Sequence, residues 1–592
     1  MILRPNPYWF WRALALAMGL VSAWFGRHIV NADGISYIEV GDAWLRGDWK
    51  HAINGYWSPL YSWMIALTKL VAHPTPYWEF ACVHIVNFAF YIVSLACFER
   101  FLRRFLAWLE TARPLPPAAQ RLYRTLGYAL FLWVGLFGVN LVNTTPDQMV
   151  AAMVYLACSL LLDIHTGRAG WPSYALLGLV LGVGYLAKAA MFPIGFLFLL
   201  ACIPWTTAAR FRALPTVSLG LAVFLATCAP FVMALSWSKG RLTFGDSGRI
   251  NYAEEISGVR RVSHWQGGPQ GCGTPVHATT PIREHPEVFA FDSGPGGSYP
   301  VWTDPSYWYE GVRFHVDIRR QIENLVLNTA AALCTFLVAP GALTALLALL
   351  FLRRRRAVPD LGHAWFLALP CAGAVFLYCV VLISTRYVSM FLAVVGLVCL
   401  GAAHLEGLTR GWRRFLAVTA IATMLGNPGL LLVVRCYADA WDLIHLREMF
   451  PNRYWLLAEE ARRVGLQRGS RVGYIGVTTC AYWLHVAGAQ VIVEVPMIAD
   501  LDRGLTSTIH DNMREIDAFW RADKAVRHEV LEAMRARGAA MVFADRVPSW
   551  APVEGWTRFQ TLLPMKSEYF ATWVYLFPET HAGQRAIAAG SE

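Results

Sequence analysis

The chain has 592 residues, of which 56% are hydrophobic and only 15% charged. That balance excludes a soluble domain of ordinary surface, and several apolar runs are long enough to span a bilayer. The formal net charge of +11 is not a nucleic-acid footprint, because the basic residues cluster between apolar spans, where a positive-inside bias accounts for them.

In chain order, about eleven spans are expected, at roughly 12–30, 78–98, 125–142, 147–162, 172–187, 190–205, 215–236, 327–352, 362–384, 387–405 and 414–434. The first run leads into further spans, so it reads as an anchor and not as a cleavable signal. The fifth and sixth are short and parted only around Lys188, which fits either two tilted helices or one broken unit. With the N-terminus inside, eighteen arginines fall on cytoplasmic segments, from Arg4 to Arg414 and including the run Arg353 to Arg356. Only six basic residues (Arg27, Arg46, Lys50, Lys69, Lys188 and Arg386) fall on external turns. An odd span count then puts the C-terminal region outside. The expected architecture is a polytopic α-helical membrane protein with a membrane domain over 1–435, large external loops at 31–76 and 237–326, and a soluble α/β domain over 436–592.

The C-terminal domain shows helical patterns at Arg453 to Val464 and Lys524 to Arg537. Strands are expected at Arg471 to Ile475, Ala489 to Val495 and Ala540 to Ala544, with a closing hairpin from Thr557 to Leu562 and Ala571 to Phe577. Gly473-Tyr-Ile-Gly476 lacks the spacing of a dinucleotide loop. Most of the twelve cysteines lie inside apolar spans, and none makes a Cys-x-x-Cys or Cys/His metal spacing.

Four ionisable residues stand out. Asp33 ends the first span, in Asn31-Ala-Asp-Gly-Ile-Ser-Tyr37, before an amphipathic stretch whose polar stripe is Glu39, Asp42 and Arg46. That stretch fits a helix lying in the membrane interface, with Asp42 and Arg46 paired one turn apart. Asp33 is either its N-cap or a functional acid at a membrane mouth. Asp147 follows Thr145-Pro146 at an external helix start, where an acid suits the helix dipole. Lys188 and Arg386 are lone cations between apolar runs, and either snorkels or meets an anionic partner such as a phosphate. All four map to one membrane face. In the long loop, Asp304-Pro-Ser-Tyr-Trp-Tyr-Glu310 sets Trp308 and Tyr309 beside acids, which suits sugar binding and equally suits packing against the bundle. The loop histidines His264, His277, His285 and His315 show no metal-ligand spacing. The glycine-rich stretches of this loop suit a segment that closes over substrate.

The pattern Asp33-Gly-Ile-Ser-Tyr37, Gly47-Asp-Trp49 and Gly55-Tyr-Trp-Ser-Pro-Leu-Tyr61 resembles the first external loop of bacterial GT-C glycosyltransferases, relatives of protein O-mannosyltransferases and of the aminoarabinose transferase acting on lipid A. Thr145-Pro-Asp147, Leu186-Ala-Lys188 and Thr385-Arg-Tyr387 are similar to further motifs of that group, and the resemblance covers about residues 10–435. It implies a polyprenyl-phosphate sugar as donor, a protein, lipid or glycan hydroxyl as acceptor, and a bacterial inner-membrane site with the C-terminal domain in the periplasm. It also implies Asp33 as catalytic base, Asp147 as a second acid near the sugars, and Lys188 and Arg386 on the lipid phosphate. Tyr37, Trp57, Tyr61, Trp308 and Tyr309 complete the expected substrate-binding set. Many members carry a second acid directly after the first-loop Asp, whereas Gly34 stands here, which leaves both a divalent metal and the acceptor type open. A lipid-linked oligosaccharide polymerase or ligase, and a non-catalytic transporter or assembly subunit, are the alternatives. A transporter of the inverted-repeat kind calls for internal repeats, and none is evident.

Overall fold

The computed structural model describes residues 8–204, 207–259, 264–292, 294–339, 345, 362–447, 451–497, 514–560 and 571–578. Arg4, the basic run Arg353 to Arg356, most of the far half of the 327–352 span and the end of the strand expected at Thr557 to Leu562 lie outside those residues.

Each of the eleven expected spans contains helix in its described part, although 26–30, 139–142 and 201–204 are turn or irregular. Among the described residues, six helices are long and apolar enough to cross a membrane: Glu79–Ala112, Asp147–His165, Ala213–Lys239, Ile318–Val338, Thr385–Ala402 and Arg410–His445. Trp9–Phe25, Trp171–Ala187, Met191–Leu200 and Trp365–Val381 are shorter apolar helices. The interior of the bundle is built by Glu79–Ala112 along Asp147–His165 and by Trp171–Ala187 along Thr207–Lys239. The second pair meets at glycines, since a Cβ on Gly178 would lie 2.1 Å from the carbonyl oxygen of Gly220. Small residues at such a crossing let the two backbones touch, which is how helices gain packing where lipid offers no hydrophobic drive. Met233, Val326, Leu333 and Val433 are exposed on the outside of this bundle. Apolar side chains so placed belong in hydrocarbon.

The long loop and the C-terminal region together form one mixed seven-stranded sheet, in the order β1-β2-β4-β3-β5-β7-β6. Strands β1 (Thr280–Glu284) and β2 (Glu287–Ala290) come from the long loop; β3 (Arg471–Gly476), β4 (Gln490–Pro496), β5 (Met541–Ala544), β6 (Trp556–Arg558) and β7 (Trp573–Leu576) come from the C-terminal region. The central strands β4, β3 and β5 run parallel and are buried almost throughout, as strands covered on both faces must be. Strand β2 pairs antiparallel with β4, Phe289 opposite Glu494. The loop expected as a separate moving segment is therefore stitched into the C-terminal sheet.

The first-loop helix also departs from expectation. Ala32–Leu45 is helical, but Asn31 is its N-cap, accepting from the Gly34 amide at 2.9 Å, so Asp33 is not the cap. The two acids of its polar stripe are taken up by other parts of the chain, while Arg46 stays exposed. Glu39 accepts from Ser298 N at 2.8 Å and Thr303 Oγ1 at 2.6 Å, and Asp42 pairs with Lys69 in place of Arg46. Tertiary partners have claimed the acids that an isolated amphipathic pattern assigns to solvent.

Candidate active site

Chain breaks deliver the four ionisable residues to one place. Asp33 lies in the first turn of its helix. Asp147 opens the helix Asp147–His165 behind Pro146. Lys188 sits in the gap between Trp171–Ala187 and Met191–Leu200, the broken form of the fifth and sixth spans. Arg386 lies in the first turn of Thr385–Ala402, after the break that ends Trp365–Val381.

The side chains form a charged chain in the order Asp33, Arg386, Asp147, Lys188. Arg386 Nη2 donates to Asp33 Oδ2 at 2.7 Å, Lys188 Nζ donates to Asp147 Oδ1 at 2.6 Å, and Arg386 Nε lies 4.0 Å from Asp147 Oδ2. Thr145 Oγ1 donates to Asp147 Oδ2 at 2.8 Å. The ammonium of Lys188 stands 3.6 Å above the Tyr387 ring, a cation–π contact, and Arg386 donates to the Tyr387 hydroxyl at 3.0 Å. Neither cation snorkels away. Asp147 is fully buried, whereas about a sixth to a fifth of the Asp33, Lys188 and Arg386 side chains is open.

Those open faces look into a cavity of about 900 Å3, within the size range of ligand sites. Of the expected residues, Tyr37 and Trp57 also line it. Tyr37 packs edge-on against Trp57 and Tyr61 at centroid distances of 5.2 and 5.1 Å. Tyr61, Trp308 and Tyr309 lie off the lining, in packing positions. Tyr61 is buried and donates to Asn87 Oδ1 at 2.6 Å. Trp308 donates to the Pro300 carbonyl at 3.1 Å, and Tyr309 lies parallel to Trp265. Asp304 caps the short helix Pro305–Trp308 through the Ser306 amide, and burial pushes its carboxyl above the usual range.

The cavity has further walls that sequence reasoning missed. One is a charged group on the segment after Lys239, where Asp246 Oδ1 holds Arg241 at 2.5 Å and Arg249 at 3.5 Å. Its only sequence signal was a set of charges among glycines just beyond a span. Another is aromatic, made by Tyr56 and Trp302 beside Trp57. A third is apolar: Ile194, Leu377, Val381 and Leu382.

Gly34 has a steric explanation. A Cβ there would lie 1.8 Å from Thr144 Oγ1. The Asp33 turn and the Thr144–Asp147 turn pack directly on each other, tied by Thr144 Oγ1 to Asn31 Oδ1 at 2.5 Å. A second acid at position 34 has no room.

Neither a family model nor a curated protein matches the chain. Among solved structures, ArnT from Cupriavidus metallidurans bound to undecaprenyl phosphate matches at TM-score 0.52 and 13% identity, over 95% of this chain and 97% of that one. The apo state of the same protein matches at 0.52 and 12%, over 96% and 98%. An oligosaccharyltransferase from Archaeoglobus fulgidus, in complex with Zn and sulfate, matches at 0.48 and 11%, over 90% and 68%. The chain has a GT-C-like fold.

In this GT-C-like fold the acids at the cavity do not make a metal-ligand set. Asp33 and Asp147 each give an oxygen to a cationic side chain, and among the described residues neither belongs to a cluster of three metal-type ligands. The one such cluster among the described residues is Asp42, Glu79 and His485, where the ammonium of Lys69 pairs with both Asp42 and Glu79.

Proposed function

We propose that this chain is an integral-membrane glycosyltransferase that moves a sugar from a polyprenyl-phosphate donor to an acceptor hydroxyl on the external face of the membrane. The observation that carries the proposal is the pairing of Asp33 with Arg386 and of Asp147 with Lys188 at the wall of a 900 Å3 cavity whose other wall is aliphatic. A phosphate needs cations, a polyprenyl chain needs apolar surface, and an attacking hydroxyl needs a base. All three are offered by one space in a GT-C-like fold, and the Cupriavidus ArnT structure of that fold holds undecaprenyl phosphate. The membrane orientation expected from arginine placement, with the N-terminus cytoplasmic and the C-terminal domain periplasmic, is part of the proposal.

In the mechanism, Asp33 takes the proton of the acceptor hydroxyl as that oxygen attacks the anomeric carbon. The bond from the anomeric carbon to the phosphate oxygen breaks, and polyprenyl phosphate departs with its charge held by Lys188 and Arg386. Attack opposite the leaving group inverts the anomeric centre. Arg386 is paired with Asp33 Oδ2 at 2.7 Å, so a phosphate that draws the guanidinium toward itself frees the carboxylate as a base. Asp147, fully buried, holds Lys188 in position at 2.6 Å.

The test is release of undecaprenyl phosphate from undecaprenyl-phosphate sugars by the purified protein in the presence of acceptor extracts. Wild type should turn over and Asp33→Asn should not, while still binding undecaprenyl phosphate. Full activity of Asp33→Asn sinks the mechanism, and failure of wild type to bind any polyprenyl phosphate sinks the function.

A further inference from the structure

We infer that Tyr56 and Trp302, backed by Trp57, form a platform for the pyranose ring of the sugar being transferred, with Asn251 at its polar edge. The inference rests on the glycosyl-transfer function proposed above and names where the sugar itself is held.

Three observations support it. First, the three aromatics are mutually packed and line the cavity: Tyr56 to Trp57 is 4.7 Å between centroids, Trp57 to Trp302 is 5.9 Å and Tyr56 to Trp302 is 6.4 Å. Trp57 is buried, whereas Tyr56 and Trp302 are half-buried. A pyranose presents C–H groups on one face and hydroxyls at its rim, and such a face packs on aromatic rings. An aliphatic chain gains no such match, and the aliphatic wall lies on other elements.

Second, the platform has polar groups at its margin. The Tyr56 hydroxyl donates to Asn251 Oδ1 at 3.2 Å, which fixes both at the rim. The indole Nε1 of Trp302 is buried and has no hydrogen-bond partner among the described residues. A small rotation of that ring toward a sugar hydroxyl therefore breaks no existing bond, and a buried donor without a partner is costly to leave so.

Third, the platform is rigid and adjoins the acids. The Trp302 carbonyl accepts from Ser36 Oγ at 2.7 Å and from Trp57 Nε1 at 3.1 Å. The neighbouring Thr303 donates to Glu39 at 2.6 Å and accepts at its carbonyl from Asn54 Nδ2 at 2.9 Å. Ser36, Glu39 and Asp33 share one helix, and Tyr37, one turn after Asp33, touches Trp57. A sugar on this platform thus adjoins the charged residues, on a backbone frame held by these hydrogen bonds.

The experiment compares equilibrium binding to the full-length protein in nanodiscs of undecaprenyl phosphate and of undecaprenyl-phosphate mannose, glucose and aminoarabinose. Wild type should bind at least one sugar-bearing lipid more tightly than the bare lipid. Trp302→Ala and Tyr56→Ala should each cut that preference by roughly tenfold, the upper end of what one aromatic contact contributes, while the affinity for bare undecaprenyl phosphate stays unchanged and so reports intact folding. Trp302→Phe, which keeps a ring and loses the N–H, should fall between. Persistence of the wild-type preference in Trp302→Ala overturns the platform, as does loss of transfer with that preference intact, which would assign the ring to the acceptor. Wild type that binds the bare lipid but prefers no sugar-bearing lipid also overturns it while leaving the lipid-phosphate site standing. Binding of none of the four lipids overturns both.

Discussion

Asp33 carries the proposed chemistry, yet its carboxylate is engaged by Arg386 at 2.7 Å. Two effects follow from substitution there. Asp33→Asn removes the base, so transfer should fall by at least two orders of magnitude, the low end of what a positioned base supplies. It also removes the competitor for Arg386, so undecaprenyl phosphate should bind at least as tightly as to wild type; a titration showing weaker binding contradicts the exchange of Arg386 between carboxylate and phosphate. Asp147 and Lys188 separate stability from activity. Asp147 is fully buried, and Lys188→Ala strips it of its close cation, leaving Arg386 Nε at 4.0 Å. Breaking one partner of such a pair costs about 3–5 kcal/mol, whereas replacing both by apolar residues of similar volume often costs nothing. Thermal unfolding in detergent should therefore rank Lys188→Ala well below wild type and the double variant Lys188→Met/Asp147→Leu close to it, with neither transferring sugar. A single variant as stable as wild type would show that the pair does not hold this corner of the bundle.

At the scale of elements, the cavity depends on two turns meeting: the start of the Asp33 helix and the Thr144–Asp147 turn. Gly34 is the contact, since any Cβ there strikes Thr144. Gly34→Ala should cost about 1–3 kcal/mol by overpacking and lower transfer, and Gly34→Ala combined with Thr144→Gly should recover much of the lost stability. If the double variant is no better than Gly34→Ala alone, the clash is not the cause. This contact also shows what the sequence makes legible. The spans, the break at Lys188 and the placement of four charges at chain breaks are local patterns of hydropathy, proline and lone charge, and they can be read directly. The absence of a second acid after Asp33 was visible too, but its cause was not, because Thr144 is 110 positions away. Glu39 looked solvent-facing for the same reason, as its partners Ser298, Thr303 and His485 lie on other parts of the chain. The strands Thr280–Glu284 and Glu287–Ala290 are short, and the first carries a proline and two charges, so it is the pairing of β1 with β2 and of β2 with β4 that makes them strands. Trp308 and Tyr309 stood in the denser aromatic motif, whereas Trp302, with one acid nearby, reached the cavity; composition marks a sugar-like patch but not which ring faces outward.

At the scale of the whole molecule, one histidine ties the C-terminal region to two helices of the bundle side. His485, on the short helix Trp483–Ala487 of the C-terminal region, places Nδ1 3.1 Å from Glu39 on the Asp33 helix and Nε2 3.1 Å from Glu79 at the head of a membrane helix. Only the imidazolium can donate from both nitrogens. Burial pulls its pKa down, but Glu79 and Glu39 outweigh that and push it up to about 10. A group whose folded pKa is raised contributes its full stabilisation below its unfolded value, near 6.5, and loses it as pH climbs through the folded value. The clamp should therefore be strongest near pH 6, weaken progressively from about pH 6.5 upward and vanish above about pH 10, a change on the order of a few kcal/mol. Because Glu39 also holds Ser298 and Thr303, and Thr303 neighbours Trp302, opening this clamp should loosen the cavity wall as well as the docking of the sheet. Thermal melts of wild type and His485→Gln between pH 6 and 10 check this: the gap between the two proteins should be widest at pH 6 and close toward pH 10. A gap that does not change with pH would mean that His485 contributes by packing alone, and that the seven-stranded sheet is anchored on the bundle by contacts other than this charge.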